Sequence, residues 1–100
     1  MHYLICYDVE NDQKRLKIAK ILQKNGCDRV QKSVFIASDL PKRDLNALMI
    51  ELRNEIRTED SRGDSIIVIP IRSEHVPEIQ AIGDNNIISF FDEPLAKVIT

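Results

Sequence analysis

Residues 3–26 have the sequence YLICYDVENDQKRLKIAKILQKNG, a short apolar run followed by a longer amphipathic one. Residues 3–7 are apolar and rich in strand formers, which is typical of a β-strand. Asn11 or Asp12 then caps a helix that Gly26 closes, because apolar residues recur at helical spacing between them. The sequence therefore predicts a strand that leads directly into a helix.

An extended stretch at residues 29–37 follows this helix. Its polar middle at residues 31–33 predicts a bend, so that the stretch forms two strands that meet at a bulge or tight turn. A second helix begins at Ser38 or Asp39 and continues to near Arg57, because its apolar residues keep strict helical spacing. Those residues are Leu45, Leu48, Met49, Leu52 and Ile56.

A polar loop at residues 58–64 and an apolar strand at residues 66–71 complete this pattern. The predicted order is strand, helix, strand, strand, helix, strand. This is the order of the ferredoxin-like βαββαβ sandwich, an α+β fold in which two helices cover one face of a four-stranded antiparallel sheet. We expect residues 1–100 to form one such domain, since a chain of this length supports a single core.

The strand at residues 66–71 does not alternate apolar and polar side chains, and the first strand is nearly as apolar. Strands of this kind are buried on both faces of a sheet. No third helix is predicted that could cover the second face, so we expect a homodimer with a twofold axis. Residues 72–100 are predicted to be a C-terminal dimerisation extension, in which residues 87–91 form an extra strand on the partner's sheet edge.

Composition narrows the class of protein. The chain has 43% hydrophobic and 30% charged residues and a net charge of −2, which indicates a folded protein and argues against one that binds nucleic acid over its whole surface. No apolar run approaches the length of a membrane helix, so we expect a cytoplasmic protein without a membrane partner. Cys6 and Cys27 lack the spacing of a zinc or redox motif and are expected to be reduced thiols. His2 and His75 are given no metal role.

Asp8 ends the first predicted strand and is followed by many cations. An aspartate in this position often only forms a turn, and that explanation stays open. The cations favour a functional site, because a carboxylate that holds a metal among phosphate-binding side chains is typical of phosphodiester chemistry. If the twofold axis of the homodimer passes near the ends of the two first strands, two copies of Asp8 and several waters can hold one Mg²⁺. The candidate nucleic-acid-binding cations are Lys14, Arg15, Lys17, Lys20, Lys24 and Lys32. Lys17, Lys20 and Lys24 recur at helical spacing and are equally well explained as the solvated face of the helix.

An ordered set of residues resembles the CRISPR-associated protein two family over residues 1 to about 71. The set comprises Tyr7 and Asp8 at the end of the first strand, Arg15, the RVQKSVF segment at residues 29–35, and Asp64 before the strand that ends at Pro70. The resemblance implies a ferredoxin-like homodimer in the spacer-acquisition complex, where it bridges two dimers of the CRISPR integrase subunit and binds duplex prespacer DNA. It also implies magnesium-dependent endonuclease activity on RNA or DNA.

The resemblance further implies catalytic-site roles for individual residues. Asp8 is the implied metal ligand. Residues implied near the scissile or bound phosphate are Tyr7, Arg15 and Arg29, and those implied to support the site are Ser33 and Phe35. The chain departs from the family pattern at Lys17, which replaces a second arginine of some relatives, at Lys32, which replaces an aromatic residue, and at Asn11, which replaces an acid.

Two other functions stay open at the level of the sequence. The first is a stand-alone endoribonuclease similar to the virulence-associated ribonuclease toxins, motivated by Asp8 and its cations. The second is a ferredoxin-like regulatory module with no nucleic-acid function, which is supported only by the acidic net charge. The sequence does not distinguish duplex DNA from single-stranded RNA as the substrate.

Overall fold

The computed structural model describes residues 1–57, 63–85, 87 and 97–99. The main domain consists of β1 (His2–Asp8), α1 (Asp12–Lys24), β2 (Asp28–Gln31), β3 (Val34–Ala37), α2 (Lys42–Ile56) and β4 (Ser65–Ile71). A 3₁₀ helix (Ser73–Glu78), β5 (Gln80–Ile82) and β6 (Lys97–Ile99) follow it. The predicted order of strands and helices in the main domain is confirmed.

The four main strands form an antiparallel sheet in the order β2-β3-β1-β4. In this register Ile5 lies between Phe35 and Val68, and Asp8 lies opposite Ser65 at the end of the β1–β4 pair. A turn at Lys32 and Ser33 joins β2 to β3, which confirms the predicted bend between them. A register shift between Arg29 and Gln31 also interrupts the β2–β3 pair. Because β1 is central, the end of this strand lies between two neighbouring strands.

Both helices pack on one face of the sheet and enclose the main core. The fully buried side chains include one from each of β1 and β3 and several from the helices; they are Ile5, Phe35, Ile18, Leu22, Leu48 and Leu52. Each contributes about 1.5–3 kcal/mol to stability through burial of its apolar surface. This core fixes the orientation of α1, and therefore of the residues that follow Asp8.

The start of α2 differs from the prediction. We expected the second helix to begin at Ser38 or Asp39, but α2 begins at Lys42 with Pro41 as its N-cap residue. Asp39 has a positive φ of 53° and donates its backbone N–H to Nδ1 of the buried His2, at 3.0 Å. The preceding turn is thus held against the start of β1, and the helix can begin only after it.

The second face of the sheet is partly covered by the chain itself. Val76 of the 3₁₀ helix is fully buried against a cluster that includes Val30 and Ile36. The expectation that this chain has no further helix to cover the face was therefore wrong, because the 3₁₀ helix after β4 packs on β2 and β3; coverage of the rest of the face by a second copy stays a prediction. On β4, Ile67 and Ile69 stay 59% and 44% exposed.

The C-terminal part contains an additional pair of strands in the described residues, since β5 pairs in parallel with β6. The strand that we predicted at residues 87–91 lies outside the described residues except for Ile87, which packs against the second-face cluster. The predicted loop at residues 58–64 is described only at residues 63 and 64. In the described part of the chain, no helix has the length and apolar character that a membrane span requires.

Candidate functional site

Asp8 is exposed at the end of β1, beside an open cavity of about 320 Å³. The cavity is lined by Asp8, Val9, Glu10, Arg15, Gly63 and Asp64. Among the described residues, no hydrogen bond or ion pair engages the Asp8 carboxylate. Its oxygens are therefore open to solvent and to an incoming cation.

Arg15 binds the loop that follows Asp8. Its Nη1 donates hydrogen bonds to the carbonyl oxygens of Val9 and Glu10, both at 3.2 Å. The guanidinium also forms an ion pair with Asp12, one turn earlier on the same helix. The structure thus places Arg15 beside Asp8, as predicted from the sequence, but directs part of its hydrogen-bonding capacity to the protein backbone.

A second cavity of about 310 Å³ adjoins Arg15 on the side of β2. It is lined by Tyr7, Asp12, Arg15, Leu16, Arg29 and Lys32. The structure therefore brings together all three residues predicted near the phosphate, Tyr7, Arg15 and Arg29, around one depression that shares Arg15 with the cavity at Asp8. An arrangement of arginine and lysine side chains with few acids suits an anionic ligand such as a phosphodiester.

Two aromatic residues support the cations of this second cavity. Tyr7 and Phe35 are buried, and their ring centroids lie 6.2 Å apart. The Arg29 guanidinium lies over the Phe35 ring, 5.1 Å from its centroid, so a cation–π interaction orients it. Ser33 accepts a hydrogen bond from the Tyr7 backbone N–H at its carbonyl oxygen, 3.0 Å away. Phe35 and Ser33 therefore lie behind the cavity, in positions suited to the supporting role that the family resemblance implies.

Two lysines of α1, Lys17 and Lys24, lie away from both cavities and face α2. Lys24 Nζ is 2.6 Å from Glu51 Oε2, and Lys17 Nζ is 4.0 Å from Glu55 Oε1, so both face the acidic side of α2. The hydrogen bonds from Lys24 and from Asn25 lower the pKa of the Glu51 carboxyl. The lysine partners of these ion pairs are exposed, so the pairs contribute little to stability.

The remaining lysines differ in exposure. Lys14 is only 8% exposed, whereas Lys20 and Lys32 are exposed. Of the predicted nucleic-acid-binding residues, only Arg15 and Lys32 line either of the two cavities described above. Of the predicted basic surface, Arg15 and Lys32 therefore lie at the cavities and Lys17 and Lys24 face α2, whereas Lys14 is buried and does not fit its predicted place on an exposed basic surface.

Asp64 is the residue of this region to which the sequence analysis gave no role. Its Oδ1 accepts a hydrogen bond from the Glu10 backbone N–H at 3.3 Å, while its Oδ2 is buried without a hydrogen-bond partner in the described part of the chain. The position of Asp64 immediately before β4 could have indicated a role at the site. The antiparallel pairing of β4 with β1 brings that position next to Asp8.

One chain alone provides few metal ligands. Within residues 1–57, 63–85, 87 and 97–99, no group of three or more His, Cys, Asp and Glu side chains is arranged to hold a metal ion. The exposed Asp8 carboxylate is nevertheless the type of hard oxygen ligand that Mg²⁺ prefers, and Mg²⁺ commonly binds through one or two carboxylates while keeping several waters. The residues present therefore fit Mg²⁺ if a further ligand, such as a second Asp8, comes from outside this chain.

Comparison with known proteins gives concordant matches. A family model described as CRISPR associated protein Cas2 matches residues 1–79. A relative from Aeropyrum pernix named CRISPR-associated endoribonuclease Cas2 is 40% identical over 86 residues, which cover 83% of this chain and 86% of the relative. A relative from Chloroflexus aurantiacus named CRISPR-associated endoribonuclease Cas2 1 is 39% identical over 84 residues, which cover 84% of this chain and 86% of the relative.

Two solved structures are also similar. Streptococcus pyogenes Cas2 matches with a TM-score of 0.66 at 25% sequence identity, over 79% of this chain and 95% of that chain. The hypothetical protein TT1823 from Thermus thermophilus matches with a TM-score of 0.61 at 31% identity, over 71% of this chain and 80% of that chain. The sheet and helices that carry Asp8 thus belong to a fold that solved structures share.

Proposed function

Because the chain belongs to the CRISPR-associated Cas2 family, we propose that it is a homodimeric subunit of the spacer-acquisition machinery with a magnesium-dependent endonuclease site at Asp8. The observation that carries this proposal is the open Asp8 carboxylate beside two adjoining cavities, one of which is lined by Arg15, Arg29 and Lys32. The relatives named as endoribonucleases make RNA the first substrate to test.

Each residue has a defined task in this proposal. Asp8 binds Mg²⁺, which when bound supplies an activated water and neutralises charge on the phosphodiester. Arg29 binds and orients a phosphate through its guanidinium, which the Phe35 ring holds in place. Lys32 adds a second positive charge on the same cavity. The buried Tyr7 supports the floor of the cavity and donates its hydroxyl to the Lys32 carbonyl oxygen at 3.4 Å.

Self-association would complete the metal site. Ile67 and Ile69 expose apolar surface on β4, which is an edge strand of the sheet. Exposed apolar surface on an edge strand favours pairing with another chain, and a twofold axis would present the same surface on both copies. We propose that a second copy covers this surface, that residues 72–100 take part in the contact, and that the second Asp8 contributes to the same Mg²⁺.

The scaffold role requires binding of duplex DNA and contact with the CRISPR integrase subunit. For DNA, the Lys17 and Lys24 side chains are each 67% exposed despite their acidic neighbours, so they remain available to phosphates along with Lys20 and Lys32. We propose that these residues hold the duplex while the protein bridges two integrase dimers. Both cysteines are free thiols, in keeping with the reducing cytoplasm in which we place the protein.

A stand-alone endoribonuclease is the second candidate function, and the names of the relatives favour it over a regulatory module without nucleic-acid function. The two leading candidates differ in DNA binding. A scaffold binds duplex DNA without sequence preference and with an affinity that falls steeply with salt, because phosphate contacts release counterions. A stand-alone ribonuclease does not require this binding.

The test compares the wild type with Asp8→Asn and with Asp44→Asn as a control, since Asp44 is an exposed acid on α2. Cleavage of labelled single-stranded RNA and duplex DNA is measured with Mg²⁺ and with EDTA, and duplex binding is measured over a range of salt concentrations. We expect EDTA and Asp8→Asn to abolish cleavage and Asp44→Asn to leave it unchanged. Equal cleavage by the wild type and Asp8→Asn would overturn the proposed active site.

A further inference from the structure

We infer that Asp64 is a positioning residue for Asp8, acting through the hydrogen bond from the Glu10 backbone N–H. This inference rests on the proposed function, because it concerns how the Asp8 carboxylate is presented to the metal. It assigns a role to a side chain that comes from a different part of the chain, immediately before β4.

The loop between β1 and α1 is restrained at nearly every position. The Val9 side chain is 3% exposed and belongs to the main core. The Asn11 side chain accepts a hydrogen bond from the Lys14 N–H at 2.9 Å, which caps α1. The Asn11 carbonyl oxygen accepts from the Arg15 N–H at 3.0 Å. Both ends of the loop are therefore fixed.

The middle of the loop is held from two sides. The Arg15 guanidinium binds the carbonyl oxygens of Val9 and Glu10, whereas the Asp64 carboxylate binds the Glu10 N–H. The one backbone donor and the one backbone acceptor of Glu10 thus both have charged partners. Asp8 lies two residues before Glu10, and its carboxylate forms no hydrogen bond or ion pair in the described part of the chain. The loop is restrained while its functional side chain stays open, which is the arrangement that a preorganised ligand requires.

Asp64 is itself in a defined position. Ser65, the next residue, lies opposite Asp8 in the β1–β4 register. Gly63, the preceding residue, has a φ of +84°, a conformation that favours glycine. The backbone on both sides of Asp64 therefore restricts where its carboxylate can lie.

The unpartnered oxygen of Asp64 argues against a purely stabilising role. Burial of a carboxylate oxygen without a hydrogen bond is unfavourable, so the Oδ2 atom offsets part of what the Oδ1 hydrogen bond contributes. Asparagine at this position would retain the Oδ1 acceptor and remove the negative charge. The comparison of alanine and asparagine at residue 64 therefore separates the hydrogen bond from the charge.

The experiment uses three variants of the full chain. Asp64→Ala removes the hydrogen bond and the charge, Asp64→Asn removes the charge alone, and Asp44→Ala is a control for loss of an exposed acid on α2. Two readouts do not depend on activity: hydrogen exchange of the Glu10 amide, and broadening of the Asp8 amide resonance by Mn²⁺ as a paramagnetic substitute for Mg²⁺. The kcat and KM for RNA cleavage are measured as a third readout, and thermal melting confirms that each variant is folded.

We expect Asp64→Ala to accelerate exchange of the Glu10 amide, to weaken Mn²⁺ binding at Asp8 by about tenfold, and to lower kcat by about tenfold with little change in KM. These magnitudes are those of residues that orient a metal ligand. Asp64→Asn should restore most of all three values, and Asp44→Ala should match the wild type. If Asp64→Ala accelerates exchange while Mn²⁺ binding and kcat match the wild type, the inference is overturned and Asp8 keeps its proposed role. If the wild type shows no Mn²⁺ broadening near Asp8, the proposed metal site fails, and the inference fails with it.

Discussion

The proposed dimer depends on apolar surface on β4, and substitution of Ile67 and Ile69 by serine tests it directly. Burial of a whole isoleucine side chain contributes about 1.5–3 kcal/mol. Ile67 and Ile69 are 59% and 44% exposed, so complete coverage by a second copy would bury about half of each. The two residues together then contribute about 1.5–3 kcal/mol per protomer, or about 3–6 kcal/mol per dimer.

A loss of this size weakens association by roughly a hundredfold to ten-thousandfold, because each 1.4 kcal/mol corresponds to a factor of about ten. Sedimentation equilibrium over a range of protein concentrations measures the dissociation constant of the dimer. The double variant Ile67→Ser/Ile69→Ser should be monomeric at concentrations where the wild type is a dimer. Its circular dichroism spectrum should match that of the wild type, since these side chains are already exposed within one chain.

Ile50 provides a matched control. It lies on α2 and is 59% exposed, the same fraction as Ile67. Ile50→Ser removes an equivalent area of exposed apolar surface from the opposite side of the sheet, and we expect no change in self-association. The reasoning is refuted if the double variant on β4 associates as tightly as the wild type, or if Ile50→Ser weakens the dimer to the same extent.

Two further predictions concern Arg15 and Cys27. Arg15→Gln removes two hydrogen bonds to carbonyl oxygens and should cost about 1–2 kcal/mol, which lowers the melting temperature by at least about 4 °C. Because Arg15 also lines the cationic cavity, its loss should reduce the slope of log K against log salt concentration for DNA binding by about 0.9; an unchanged slope would show that Arg15 serves only the loop. Burial, with a further contribution from Asp28, raises the pKa of the Cys27 thiol to about 11 from its ordinary value of 9.0. Because the unfolded chain ionises first, stability is fully present below pH 9 and declines as the pH rises from 9 towards 11. Thermal melts should show this decline for the wild type and a smaller one for Cys27→Ala; equal declines would show that another group is responsible.

Local patterns were sufficient to predict the main elements of the fold. The apolar run before Asp8, the capping residue Asn11 and the helical spacing of Leu48 and Leu52 each depend on neighbours in the sequence, and the strand and both helices are present, although α2 begins later than expected. The bend between β2 and β3 was also predicted, because a polar interruption in an extended stretch is a local signal.

Contacts between distant residues account for what the sequence did not reveal. The start of α2 depends on a hydrogen bond from Asp39 to His2. The 3₁₀ helix that buries Val76 has no periodic pattern that a sequence analysis could detect. The role of Asp64 depends on the pairing of β1 with β4. The sequence shows that Asp64 precedes a strand, but it does not show that this side chain contacts the Glu10 backbone.

Tyr7 has a mechanical consequence that follows from its two hydrogen bonds. Its backbone N–H and its hydroxyl group bind the carbonyl oxygens of Ser33 and Lys32 in turn, so both ends of one residue are attached to the turn between β2 and β3. The same residue is covalently bonded to Asp8. The turn and the backbone of Asp8 are therefore attached to the same residue, which restrains the distance between the cationic cavity and the end of β1. A polynucleotide seated against Arg29 and Lys32 would accordingly meet Asp8 at a constant offset along its backbone.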